Sequence, residues 1–504
     1  MTPLPSIATQ DRVIDAVLII SCAIVQAIAL AVGAFATRDA FMALHSQQSL
    51  PMQTVAELGV AGLVAALCHL FARRRAEALG QSYAIALRRT LYSQIARLPK
   101  ARHEERRVGA LSLRFVGDLA AARLWFGRGL PDVLSAIVVL PGAMWILFSL
   151  NPTLAGTGLV PLGVALAIMC ITAWHLEQRH RKLRKRRANI AISMIERIAI
   201  APELDLMGRT NKELRALDEK GAALKGDAVS RRGRTAGLQT LLKVGTALSG
   251  LLMLWLAGQN GLAPATAAAC MSVLAIVALP LQDLAASWDR YCAWRVAREK
   301  AQRLLDEPTV KRRSKPKSEP ISVTLEGQVD GQPVSFSAGA GKITHLRGSY
   351  ARLCARVIAG LDTHGAVDLR FGSQTRSPKI SYIGDEHVGL QGSLRRSVTL
   401  GAPKRPTDGV IQQALAAFDL NEVLRAPDGL DQRLAENGRN LTAAQTLRLD
   451  LARAVLAQAD VIIISSLRWA ADPDRDMLLD TLRHLTRATV ILAEPTNTCT
   501  ATSY

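Results

Sequence analysis

The chain has 504 residues, 49% hydrophobic, only 4% aromatic and 21% charged, and 62 Lys and Arg against 42 Asp and Glu leave a net charge of +20. With a mean hydropathy of +0.16, this profile excludes a disordered chain, a fibrous repeat and a disulfide-stapled secreted module, and argues against a purely soluble enzyme. Apolar blocks alternating with basic blocks are the pattern of a polytopic membrane protein, and the length allows two or three domains.

In chain order, Ala16 to Thr37 is uncharged over 22 residues, enough to cross a hydrocarbon core that needs about 20. Ala34-Phe35-Ala36 looks like a signal-peptide cleavage site, but the apolar stretch exceeds an h-region and no Lys or Arg cluster precedes it, so a retained span is expected. Val55 to Ala72 is a second span, interrupted only by Glu57. Val133 to Leu176 carries no charge over 44 residues and is broken at Asn151-Pro152. Val244 to Gln282 is uncharged over 39 residues and is broken at Gly258-Gln259-Asn260-Gly261. The expected spans are therefore residues 13–37, 55–72, 133–150, 154–176, 241–258 and 263–282, within a membrane domain covering 1–310.

Arg73 to Arg128 carries 13 Lys and Arg, and the segment from Glu177 to Lys243 is also basic, whereas the loops of the other side hold almost none. The positive-inside rule then puts both long loops and both termini in the cytoplasm, in a bacterial inner membrane. Apolar residues at helical spacing over Tyr83–Leu98, Leu111–Leu124 and Ile190–Leu206 carry the spans as helices into the cytoplasm. The basic runs at 179–187 and 311–317 face the anionic leaflet rather than nucleic acid. A linker over 311–320 leads to a domain over 321–504 of ordinary soluble composition, with 20 Lys and Arg and 19 Asp and Glu. The seven cysteines (Cys22, Cys68, Cys170, Cys270, Cys292, Cys354, Cys499) have no metal-like spacing and read as small buried hydrophobes in a reducing setting.

Six spans with long helical loops after the second and the fourth, followed by a soluble domain, resemble an ABC exporter half-transporter. Leu98-Pro99 followed by Gly109 to Asp118 is similar to a segment of that family's first cytoplasmic loop. In the tail, Ile343 to Gly348 with Arg356 to Leu361 resembles the strand, phosphate loop and helix, and Tyr382 to Glu386 with Gly392 to Arg395 resembles the Q-loop region. Glu436 to Gln445, with Leu441, Thr442, Ala443, Ala444 and Gln445 at its end, resembles the signature, and Trp469 to Pro473, with Asp472, resembles the D-loop. The resemblance implies an all-α six-helix transmembrane domain and an α/β P-loop-like nucleotide-binding domain.

The positions that carry the family's chemistry depart from its pattern. A phosphate loop needs glycines that expose amides, a Lys and a Ser or Thr for Mg²⁺. The stretch after Gly348 is about three residues short for that pattern, and Ala351, Arg352 and Leu353 fall at the Lys, Ser and Thr positions. Asp385 takes the Q-loop glutamine position, and Ser465 and Ser466 take those of the metal-supporting Asp and the general-base Glu. Glu494 takes the switch histidine position, and no aromatic residue lies between Ile321 and Pro333 to stack adenine. Ten residues follow Glu494, so a C-terminally shortened domain is expected.

A pseudo-ATPase is therefore expected, without metal and without nucleotide on its own phosphate loop, and with no group identified as catalytic. Thr442 keeps a hydroxyl and Gln445 is present, so Mg-ATP held by a partner is the nucleotide this signature would meet. Ala443 and Ala444 add methyl groups where glycine lets backbone approach phosphate. The expectation is a dimer, preferably a heterodimer with an intact half-transporter. The alternative is an ATP-independent homodimeric scaffold or regulator. Contacts coupling the spans to nucleotide-binding domains are expected around Arg107–Gly109 and Glu203–Asn211. His69, Cys68, Cys170, Trp145 and Trp174 are candidates for lining a cavity, although a lone histidine or sulfur in a span is more often a packed residue, and the two Trp residues also suit interfacial anchors.

Overall fold

The structure is a computed structural model that describes residues 3–100, 102, 117–310, 320–362, 366–372, 378–494 and 501–503. The chain divides into two compact units, Met1–Ala96 with Arg106–Glu307, and Arg97–Glu105 with Pro308–Tyr504. The sequence boundary at residue 310 therefore shifts, because short chain segments join the second unit. Val310 donates its N–H to the Arg97 carbonyl (2.8 Å) and Lys100 donates its own to the Leu361 carbonyl (2.6 Å). The Lys100 ammonium also lies 5.9 Å from the Tyr382 ring centroid.

The first unit is helical. It comprises α1 (Gln10–His45), α2 (Met52–Ile95), α3 (Leu119–Leu124), a π-helical turn (Trp125–Gly129), α4 (Leu130–Leu150), α5 (Pro152–Gly158), α6 (Val160–Ala199), α7 (Ala201–Leu206), α8 (Thr210–Gln259) and α9 (Pro264–Leu305). Among the described residues, six segments are long and apolar enough to cross a membrane. The 44 residues of α2 would measure about 66 Å at 1.5 Å per residue, twice a hydrocarbon thickness of about 30 Å, so this helix extends well past the bilayer.

The breaks follow local chemistry. Asn151 ends α4 and caps α5, its Oδ1 accepting the Leu154 N–H at 3.0 Å, and Pro152 takes the first helical position, where a missing N–H costs nothing. Gly261 takes φ +60° just beyond α8, a conformation glycine adopts without strain. The continuous helix expected over Ile190–Leu206 is interrupted: α6 stops at Ala199, and Ile200 leaves the helical region at φ −125°. Pro202 accounts for the break, because it lacks an N–H and its ring collides with the carbonyl four residues back. Of the helix expected over Leu111–Leu124, and of the loop segment Gly109–Asp118, residues 109–116 lie outside the described residues, as do Arg107 and the linker residues 311–319.

The core of this unit is built from Leu147, Leu154, Met253, Cys270 and Val273, all but excluded from solvent. Toward the far end of α2, Tyr83 stacks on Phe126 with ring centroids 3.8 Å apart, and Trp294 meets Tyr83 edge-on at 5.6 Å. The close approach that permits this stack is made by Gly80 and Gly127. A Cβ on Gly80 would stand 2.6 Å from the Gly127 Cα and 2.8 Å from the Arg123 carbonyl.

The second unit is α/β. Its elements are β1 (Val323–Val329), β2 (Gln332–Ala338), β3 (Ile343–Arg347), α10 (Ala351–Ile358), β4 (Ala366–Phe371), β5 (Ile380–Ile383), β6 (Gly392–Ser393), α11 (Leu394–Val398), α12 (Asp408–Ala417), α13 (Asn421–Leu424), β7 (Arg433–Leu434), α14 (Ala443–Leu456), β8 (Val461–Ile464), α15 (Leu467–Ala471), α16 (Arg475–Leu485), β9 (Thr489–Glu494) and β10 (Ala501–Ser503). One sheet has the order β10-β3-β9-β8-β5, with β3, β9, β8 and β5 parallel, and a second, antiparallel sheet has the order β2-β1-β4. The run Val461–Ile464 is unbroken in apolar residues because a parallel strand is buried on both faces. Although few residues follow Glu494, Ala501–Ser503 still pairs antiparallel with Leu346–Thr344 at the sheet edge.

Gly80→Ala is expected to lower the thermal midpoint of the detergent-solubilised protein by several degrees, since the methyl group meets backbone rather than a movable side chain. Gly59→Ala, where nothing lies within 4 Å, is expected to leave the midpoint unchanged or slightly higher.

Candidate functional site

In an open parallel sheet, ligands bind beyond the carboxyl ends of the strands. Here those ends bring together Arg347, Glu494, Ser465 and Asp385, which leave β3, β9, β8 and β5 respectively. The connection from β3 to α10 is Gly348-Ser349-Tyr350, with Gly348 at φ +129°. The Ala351 N–H donates to the Gly348 carbonyl (3.1 Å), so the first helical amide is spent inside the chain, and the Cys354 N–H to the Tyr350 carbonyl (2.9 Å) begins the regular helical bonding. Ala351 is buried, and Leu353 packs partly buried against the core.

Charged side chains at these strand ends neutralise one another. Arg352 Nη1 lies 3.2 Å from Asp385 Oδ2, while Asp385 Oδ1 accepts the Leu467 N–H at 2.6 Å and thereby holds the start of α15. Glu494 stands beside Arg347 (3.9 Å) and His345 (3.7 Å) on the neighbouring strand. Ser465 is buried, and Ser466 caps α15 by accepting the Arg468 N–H at 3.2 Å. Burial pushes the Tyr382 phenol above its ordinary range.

The segment from Leu441 to Gln445 opens α14. Thr442 and Gln445 close a capping box, with Gln445 N–H donating to Thr442 Oγ1 (3.1 Å) and Thr442 N–H to Gln445 Oε1 (3.0 Å). Thr442 and Ala443 are exposed, Ala444 and Gln445 half-buried, and Leu441 packs against the core. Asp472 is buried. Its Oδ1 accepts the Asp474 N–H (3.0 Å) and lies 3.8 Å from Arg448, which also binds Asp419 and Asp474 at 2.6 Å each.

A second network beneath this face escaped the sequence reading. The Asp450 carboxylate receives His387 Nδ1 at 2.8 Å, Arg453 Nη1 at 3.2 Å and Arg468 Nη2 at 3.1 Å. Arg468 reaches on to the Gly384 carbonyl and Thr446 Oγ1, and Arg453 to the carbonyls of Val388 and Ser397. The i, i+3 spacing of Asp450 and Arg453 on α14 was the available signal, but their partners on distant loops were not readable. Asp450→Ala would strand two buried guanidinium groups, at a cost of about 3 kcal/mol. The expected outcome is that amide hydrogen exchange over 443–456 accelerates by roughly two orders of magnitude, measured by mass spectrometry.

The first unit holds a cavity of about 370 Å³ walled by α1, α2, α4 and α9. Gln26, His69 and Ser135 supply neutral polar groups to the lining, and Arg73, Asp132 and Asp283 supply charged ones. At one end, buried Asp132 receives Arg73 Nη1 and Arg290 Nη1, each at 2.7 Å, and Arg73 also lies 3.6 Å from Asp283. Of the sequence candidates, His69 lines this cavity and Trp145 is exposed on α4, while the side chains of Cys170 and Trp174 lie outside the described residues. No group of three or more His, Cys, Asp or Glu able to hold a metal is present among the described residues.

Residues 16–260 match the ABC transporter transmembrane region. The chain is 25% identical over 486 residues to the mycobactin import ATP-binding/permease protein IrtA of Mycobacterium tuberculosis, covering 89% of this chain and 55% of that protein. It thus spans about half of that relative's length. It is 20% identical over 420 residues to the uncharacterized ABC transporter ATP-binding protein YknU of Bacillus subtilis, covering 77% of this chain and 71% of that one. Superposed on a bacterial Atm1-family ABC exporter solved with ATP bound, it gives a TM-score of 0.78 at 16% identity, covering 98% of this chain and 92% of the other. The chain is an integral membrane protein whose residues 16–260 match the ABC transporter transmembrane region, and its helical unit and its α/β unit are those of the ABC exporter fold.

Proposed function

We propose that this chain is the non-hydrolysing subunit of a two-subunit ABC transporter of a bacterial inner membrane, with both termini in the cytoplasm. In this reading it pairs with a half-transporter whose own phosphate loop is intact. The observation that carries the proposal is the Arg352–Asp385 ion pair. Two positions that would serve a nucleotide and its metal instead neutralise each other, beside a loop of three residues.

The residues at the strand ends do not fit Mg-ATP. Phosphate binding needs a row of free amides and a cation directed at the ligand, and metal binding needs a hydroxyl and a carboxylate. Ala351 and Leu353 supply neither, Ser465 is buried, and the Ser466 hydroxyl is held by the backbone of α15. No catalytic step is assigned to this chain. Its contribution to ATP turnover is confined to the exposed start of α14, where Thr442 and the helix N-terminus would face nucleotide held by the partner.

Apolar surface supports the need for a partner. Leu206 at the end of α7 is 89% exposed and the adjoining Met207 70%, within the Glu203–Asn211 stretch expected to meet a nucleotide-binding domain. Val388 and Leu390, beside the Asp385 loop, are likewise exposed. The fold favours export of a substrate from the cytoplasm. Whole-chain similarity to a protein named for mycobactin import favours import as the second reading.

The test is a mild-detergent pull-down of the tagged protein from its native membranes, followed by photo-crosslinking with radiolabelled 8-azido-ATP. A stoichiometric ABC half-transporter that takes all the label, with none on this chain, is the expected result. Recovery of this chain as a homodimer without label would replace the transporter subunit by the scaffold or regulator reading. Label on this chain would overturn the loss of its own nucleotide site. The double variant Leu206→Glu, Met207→Glu is expected to cut partner recovery about tenfold while leaving membrane insertion intact.

A further inference from the structure

The membrane cavity is graded along its length. Arg73, Asp132 and Asp283 line one end. Val139 lies seven residues beyond Asp132 on α4 and Ile276 seven residues before Asp283 on α9, so both stand about 10 Å away at the other end, with Leu30. These three apolar residues also wall a further cavity of about 10 Å³ whose lining is entirely apolar. Gln26 and Ser135 lie between the two ends, and His69 lines the cavity although its neighbour Cys68 does not.

Charge at the first end is unequally spent. Asp132 is buried and takes Arg73 and Arg290 at 2.7 Å each. The Asp283 side chain is 46% exposed, and among the described residues its carboxylate meets only Arg73, at 3.6 Å, beyond hydrogen-bonding distance. Arg290 stands outside the lining, which therefore carries one cation and two carboxylates. An incoming anion would have to draw Arg73 away from a buried carboxylate, whereas an incoming cation meets Asp283 and leaves every existing hydrogen bond in place.

The other acceptors favour a cation that carries N–H. Pro280 has no N–H to offer, so the Ile276 carbonyl lacks its i+4 donor, and both residues line the cavity. The side chains of Gln26 and Ser135 have no hydrogen-bond partner among the described residues and can accept as well.

We propose that this cavity binds a protonated amine joined to an apolar body, with the ammonium donating to Asp283 and the body lying against Leu30, Val139 and Ile276. A quaternary ammonium keeps the charge and loses the N–H donors, and a carboxylate on the same body reverses the charge. That such an amine is the cargo rests on the transporter function proposed above, whereas its binding here does not.

The experiment measures equilibrium binding of tritiated 1-aminoadamantane to the full chain in lipid nanodiscs without nucleotide, with empty nanodiscs subtracted. Competitors share the adamantane body and carry trimethylammonium, hydroxyl or carboxylate in place of the amine. Saturable binding is expected, with each competitor at least about tenfold weaker than unlabelled amine and the carboxylate weakest. Asp283→Asn is expected to weaken the amine about tenfold or more at an unchanged thermal midpoint, while leaving the alcohol within about twofold. Ala72→Phe, which puts a ring into the cavity, is expected to abolish binding. Absence of saturable amine binding would overturn the proposal. So would a carboxylate or alcohol that competes as well as the amine, or full affinity in Asp283→Asn. Because the readout is binding to this chain, it stands apart from whether a partner half-transporter is recovered.

Discussion

A carboxylate held by two guanidinium groups and an imidazole inside a protein is costly to bury and worse to disturb, so its position constrains everything attached to it. Asp450 occupies that position in the second unit. Through His387, Arg453 and Arg468 it ties the middle of α14 to the loop after β5, to α11 and to α15. The loops that an ATPase would move during its cycle are thereby fastened to one buried group.

The same economy governs the strand ends. Arg352 with Asp385, and Arg347 with Glu494, satisfy charge within the chain at the place where a related fold would hold phosphate and metal. A cation already facing a carboxylate has less field to offer an incoming phosphate. The capping box at Thr442 works in the other direction, because it satisfies the first turn of α14 while leaving that turn at the surface.

The spans were legible because bilayer thickness sets a length that an uncharged run either meets or does not. The breaks at Asn151-Pro152 and near Gly261 were legible because capping and positive φ demand particular residues. Motif order revealed the second unit even where single residues depart from the family's pattern. What could not be read was pairing across distance: Asp450 with Arg468, and Asp132 with Arg73 and Arg290. Pro202 was legible as a helix breaker but was overridden by the apolar periodicity around it, and the break at Ile200 is where the local steric rule prevailed.

The contact between Gly80 and Gly127 has a mechanical consequence when taken with the Arg73–Asp132 ion pair. Along α2 these two attachments stand seven residues apart, about 10 Å, and both hold the segment running from the π-helical turn into α4. A rod fixed to its neighbour at two separated points can neither swivel nor slide against it without breaking one of them. α2 and the start of α4 therefore behave as a single lever, and a force applied to the far end of α2 reaches the membrane cavity as a displacement of this joined pair.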